Sequence, residues 1–201
     1  MAKAKAGKKS KPVSKRKARP AAKAANRARA VKKIAARRPK KVSYMPKGMS
    51  TVNISLCVKD AARALEFYKS ALGATVRNVM PGPGGKGVVH AEFKVGGTTL
   101  MIGDEFPGFP QKSPESVGAP TANLYCYVPN CDAAYNRAVK AGATALNPLV
   151  TMFWGDRMGN IKDPFGHIWI LATHVEDVGP AEMRKRHAAF VAQMASGGMG
   201  G

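Results

Sequence analysis

Residues 153–174, FWGDRMGNIKDPFGHIWILATH, gather His167, His174, Asp156, Asp163, Arg157 and the aromatic pair Phe153 and Trp154. Imidazoles and carboxylates this close could share a proton or ligate a cation. Arg157 could clamp an anionic group, because a guanidinium matches carboxylate or phosphate geometry; it could equally bridge to Asp156 or Asp163. His167 reads better as a hydrogen-bonded turn residue than as a ligand, since Asp163-Pro164-Phe165-Gly166 is a turn sequence. A second pair lies in VVHAEFKV, where His90 and Glu92 share one strand face. They could work as acid and base, hold a polar ligand, face solvent or meet a second subunit.

Cys57, Cys126 and Cys131 fit neither a disulfide framework nor a zinc pattern. They point to a reducing, cytoplasmic setting. No apolar run approaches the roughly 20 residues needed to span a bilayer, and the N-terminus lacks the apolar segment of a secretory signal.

These side chains need elements to position them. TVNISLCVKD alternates as a half-buried strand, and DAARALEFYKSAL follows as an amphipathic helix ending at Gly73. ATVRNVM, VVHAEFKV and TTLMIGDE read as three further strands, the last two joined at Gly96-Gly97. The order then recurs. ANLYCYVPNCDAAYNRAVKAGA is a strand and a helix through Asp132 to Gly142, and TALNPLV, the Asp156 stretch and HIWILATH complete it. Asn53 lies seven residues before Asp60 and Asn123 nine before Asp132, so a two-residue insertion near Pro129 is expected between the copies.

Residues 50–105 and 121–174 thus read as two βαβββ modules joined by the Pro/Gly-rich linker 106–120. The fold class is α+β, with a curled mixed sheet around a cleft. The domain spans 49–178, a C-terminal helix follows at 179–195 with Met183, Phe190 and Met194 on one face, and 196–201 is a flexible tail. In the last strand, Ile168, Ile170 and Ala172 should face one side with His174 in phase, and Trp169 and Leu171 the other. Tyr125 and Tyr127 share the phase of Asn123.

Lys and Arg total 33 against 12 Asp and Glu, a formal net charge of +21. Nineteen of the 33 fall within residues 1–48, which hold no acid. This Lys/Ala/Pro-rich arm cannot bury enough apolar surface to order itself and should be disordered. It suits polyanion binding by counterion release, with Lys8, Lys9, Lys15, Arg16, Lys17, Arg37, Arg38, Lys40 and Lys41 as contacts to nucleic acid. A nucleoid-associated location would follow; a solubility tail, an unprocessed targeting segment or a start upstream of the true one at Met45 or Met49 are the plainer readings.

VKDAARALEFYKSALGA, HAEFKVGGTTLMIGDE, FWGDRMGNIKDPFGHIWILATH and EDVGPAEMRKR resemble the vicinal oxygen chelate superfamily of glyoxalase, bleomycin-resistance and extradiol-dioxygenase proteins, nearest its PhnB-like subgroup. The resemblance covers about residues 49–187. It implies a cleft with four inward metal ligands, one from the first and one from the last strand of each module. Those positions fall on Asn53, Met101, Asn123 and Ile170, which lack an acid, so no metal and no cofactor are expected. The cleft set is Asn53, His90, Glu92, Met101, Asn123, Tyr125, Trp154, Arg157, Ile170 and His174. The expected function is metal-independent binding of a small organic ligand, in a homodimer tethered by its arm. The alternatives are a lyase, isomerase or dioxygenase with a displaced metal on His90, Glu92 and His174, or an architectural nucleic-acid-binding protein.

Overall fold

A computed structural model describes residues 42–120 and 122–196. The arm residues Lys8 to Lys41 and the tail 197–201 lie outside them. The described chain holds eight strands and four helices: β1 Ser55–Val58, α1 Ala61–Leu72, β2 Thr75–Pro81, β3 Val88–Val95, β4 Thr98–Asp104, α2 Pro114–Val117, β5 Asn123–Tyr127, α3 Cys131–Lys140, β6 Thr144–Thr151, β7 Asp156–Lys162, β8 Ile168–His174 and α4 Pro180–Ala195.

The strands form two sheets, ordered β1-β4-β3-β2 and β5-β8-β7-β6, so the repeat read from sequence is present in three dimensions. In each, the first strand runs parallel to the fourth and the other pairs are antiparallel. Helices α1 and α3 cover one face of their own sheets and touch each other. The opposite faces carry His90, Glu92 and Met101 in the first sheet, and Tyr125, Tyr127, Met158, Asn160, Ile170 and His174 in the second.

Local chemistry fixes both helices. Asp60 caps α1 by accepting the Arg63 N–H, and Gly73 ends it with φ 66°, a left-handed position that glycine adopts without strain. Asn130, not Asp132, caps α3 through the Ala133 N–H. Asn123 therefore stands seven residues before its cap, as Asn53 does before Asp60, and the expected insertion near Pro129 vanishes.

Tyr68 ties the modules together. It is fully buried, stacks on Phe93 at 4.9 Å and donates its hydroxyl to Asp163 Oδ2 at 2.8 Å. Asp163 is 2% exposed and also accepts from Trp169 Nε1 and from the backbone N–H groups of Phe165 and His167. Four donors satisfy a carboxylate that would otherwise be costly to bury. Arg137 of α3 adds a bond to the Ala71 carbonyl at the end of α1.

Helix α4 begins at Pro180, which suits a first helical turn. None of its residues is buried, and Met194 is exposed rather than aligned inward with Phe190. Phe190 rests on Phe153, ring centroids 4.9 Å apart.

Candidate functional site

Asp156, the first residue of β7, is the polar centre of the second sheet's open face. It is 3% exposed. The Tyr125 and Tyr127 hydroxyls donate to its Oδ2 at 2.9 and 2.8 Å, and Trp154 Nε1 reaches the same oxygen at 3.2 Å. His174 Nδ1 lies 2.8 Å from Oδ1, and its Nε2 lies 3.0 Å from Asp177 Oδ1. Strand pairing dictates the meeting: Asp156 is opposite His174, and β5 delivers two tyrosines in phase beside β8. Gly155 makes it possible. At φ 94° it turns the chain into β7, and a Cβ there would stand 2.0 Å from the Glu176 carbonyl oxygen.

The electrostatics of this hub are self-contained. Burial alone would raise the Asp156 carboxyl, but bonds from His174, Tyr127, Tyr125 and Trp154 outweigh it and hold the group below its ordinary range. Asp177 first, then Asp156, raises the His174 imidazole. Burial and the Asp156 carboxylate push the Tyr125 hydroxyl up; for Tyr127 the bond to Asp156 is the larger cause. The tyrosines stay protonated donors, and both ring nitrogens of His174 face carboxylates.

Three of the predicted cleft residues, Tyr125, Trp154 and His174, thus meet. The acceptor joining them was missed as a site residue, although Asp156 lies in the stretch singled out above. Tyr127 belongs with them by its alternation with Tyr125. Arg157 points elsewhere: its Nε and Nη2 donate to Asp132 Oδ2 and Oδ1 at 2.8 and 2.6 Å, so neither Asp156 nor Asp163 is its partner. Asp132 sits in the first turn of α3, a long-range neighbour that sequence spacing does not expose.

The four inherited ligand positions do not assemble a cation site. Asn53 precedes β1 and closes a turn on Ser50, accepting its N–H at 2.9 Å and donating to its carbonyl at 2.6 Å. Met101 pairs with Ser55, Ile170 with Tyr125 and Asn123 with Ile168. Two carboxamides, a thioether and a hydrocarbon bring no negative charge, so this donor set does not fit a divalent metal. The displaced set fares no better. His90 Nε2 and Glu92 Oε1 are 3.8 Å apart, but His174 belongs to the Asp156 hub, and no group of three His, Cys, Asp or Glu among the described residues could hold an ion. Glu92 instead accepts from Asn78 Nδ2 at 2.9 Å. His167 is a turn residue as expected, its backbone N–H bonding Asp163, but its ring is not fully satisfied: Nε2 is buried without a hydrogen-bond partner, and burial lowers the imidazole pKa.

Two cavities open on these faces. One of about 330 Å³ is lined by the first module, including Ser55, Cys57, His90, Phe106 and Phe109. A larger one of about 850 Å³ lies between β6, β7 and α4, beside the hub. Among the described residues no helix is long and apolar enough to cross a membrane.

Residues 50–171 match the Glyoxalase/Bleomycin resistance protein/Dioxygenase superfamily, and the chain belongs to that family. An uncharacterized protein of Mycobacterium bovis is 39% identical over 132 residues, 64% of this chain and 86% of the relative. Among solved structures, a gene product of Arabidopsis thaliana is 26% identical, covers 62% of this chain and 98% of its own, and has a TM-score of 0.50. A PhnB protein of Bacillus cereus, named a putative 3-demethylubiquinone-9 3-methyltransferase, is 19% identical over 62% of this chain and 99% of its own, also with a TM-score of 0.50. At that identity it speaks for the fold.

Proposed function

We propose that this chain binds a small organic molecule without a metal, in the manner of the PhnB-like branch of its family, and that its basic arm tethers it to nucleic acid. One observation carries the binding reading. The open face of the second sheet presents the Tyr125 and Tyr127 rings, 43% and 63% exposed and 5.1 Å apart, with their hydroxyls fixed on Asp156. Rings held from behind by a buried acceptor form a rigid aromatic wall, which lowers the entropy lost when a flat ligand stacks on it. The hub's donors and acceptors satisfy one another, which suits recognition better than proton transfer.

The arm reading rests on charge alone: nineteen cationic side chains without one acid will attract polyanions. Both halves can be tested on the full-length protein. A thermal-shift screen of small aromatic compounds, run with a chelator, should find ligands that raise the melting temperature by mass action. Ligands that act only after added metal would favour the lyase or dioxygenase alternative. Anisotropy with a labelled DNA duplex should show binding that falls steeply with salt and disappears on deletion of residues 1–45. Undiminished binding by the deletion variant would move the contact to the domain, as the architectural reading requires.

A further inference from the structure

The geometry points to the cavity beneath α4 as the ligand's seat, and to a neutral, flat, apolar molecule carrying an N–H donor as its occupant. This inference rests on the binding reading above and gives it a place and a chemistry.

Its volume, about 850 Å³, falls in the range of small-molecule sites, roughly 300–1,000 Å³. Its apolar wall includes Val150, Met152, Phe153, Met158 and Phe190. Helix α4 forms the roof, and its attachment is light. No residue of α4 is buried; Phe190 and His187 on Phe153, with Arg186 on Glu176, provide its contacts. A roof held by two ring contacts to Phe153 and one ion pair to Glu176 can lift to admit a ligand and close over it.

The floor supplies the specificity. Asn160 donates Nδ2 to Asn147 Oδ1 at 3.1 Å, while its own Oδ1 is shielded from solvent and has no hydrogen-bond partner. A shielded carbonyl without a donor is costly, and a ligand N–H would relieve that cost. The terminal torsion of an asparagine is soft, so a small rotation presents Oδ1 to the cavity. The one cation in the lining, Arg186, is bound to both Glu176 and Glu182, at 2.8 and 2.9 Å. It leaves no uncompensated charge for an anionic ligand, which is why the occupant is neutral. The Tyr125 hydroxyl lies 3.6 Å from Met158 Sδ, so the aromatic wall adjoins the cavity.

N-phenyl-1-naphthylamine is a suitable probe: it is neutral, aromatic, carries one N–H and brightens in apolar sites. Titrated into the full chain, it should bind saturably with one molecule per chain. Ala189→Trp, on the exposed side of α4 where the cavity is lined, should abolish binding without lowering the melting temperature. Asn160→Leu should weaken the amine by about ten-fold, the scale of one lost hydrogen bond to a buried acceptor. The dissociation constant of 1-phenylnaphthalene, which lacks the N–H, obtained from displacement corrected for probe affinity, should be equal in Asn160→Leu and the parent. Unchanged probe affinity in both variants would overturn the site while leaving small-molecule binding elsewhere intact. No probe binding by the parent overturns the inference, and if the wider thermal-shift screen is also empty, the binding reading falls with it.

Discussion

The two modules answer the same structural demands with different side chains. At the end of the fourth strand, Asp104 accepts the Ala61 N–H that opens α1, and Thr173 Oγ1 accepts the Cys131 N–H that opens α3. In the third strand Glu92 accepts from Asn78, and at the matching point of the second module Asn160 donates to Asn147. Both second strands break register beside that asparagine. The frame is therefore shared, whereas the open faces are not. Where the first module has Ser55 and Cys57, the second has Tyr125 and Tyr127; only the second gains a buried carboxylate and a roofing helix. The shared frame and the differing open faces should therefore respond differently to mutation.

The largest effect is expected at the joint between modules. Asp163→Ala would strand the Tyr68 hydroxyl, the Trp169 indole and two backbone N–H groups, and should cost at least about 3 kcal/mol in chemical denaturation. Next comes Gly155→Ala. Its Cβ would collide with the Glu176 carbonyl and occupy a left-handed conformation, so a loss of about 2 kcal/mol or more is expected, with α4 displaced and probe binding lost. Tyr68→Phe removes one donor from Asp163 and should lower stability by about 1 kcal/mol with the binding face untouched.

His174 gives a pH signature. Its folded pKa is raised by Asp177 and Asp156, so its contribution is fully present below the unfolded value and is lost as pH rises through the folded one. Melting temperatures across pH 5 to 8 should therefore show a component that declines toward alkaline pH and is missing in His174→Asn. A decline of equal size in that variant would assign it to another group. Smallest of all is Arg157→Ala, since its pair with Asp132 is solvent-exposed and such pairs contribute little; a melting temperature within error of the parent is expected.

The elements were legible because each carries a local signal. The alternation in VVHAEFKV, the cap at Asp60 and the glycine stop at Gly73 depend on neighbours in the chain. The repeat was legible too, although matching Asp132 to Asp60 implied an insertion that the true cap, Asn130, removes. Site residues were legible only in phase. Alternation put Tyr125 and His174 on one face, but nothing local says that both would close on Asp156. That meeting depends on β8 lying between β5 and β7. Arg157 and Asp132 are 25 positions apart, beyond any spacing rule. Asn53 falls outside the strand for the opposite reason: its side chain bonds the nearby backbone of Ser50 and closes a turn there.

The claim that matters most is that this face works without a cation. Elemental analysis of full-length protein, purified without chelator, tests it directly. The account predicts far less than one equivalent of iron, nickel, manganese, cobalt or zinc per chain, with aromatic-ligand binding unchanged by a chelator. One tightly held equivalent, lost together with ligand binding when Asn123 or His174 is replaced, would contradict it.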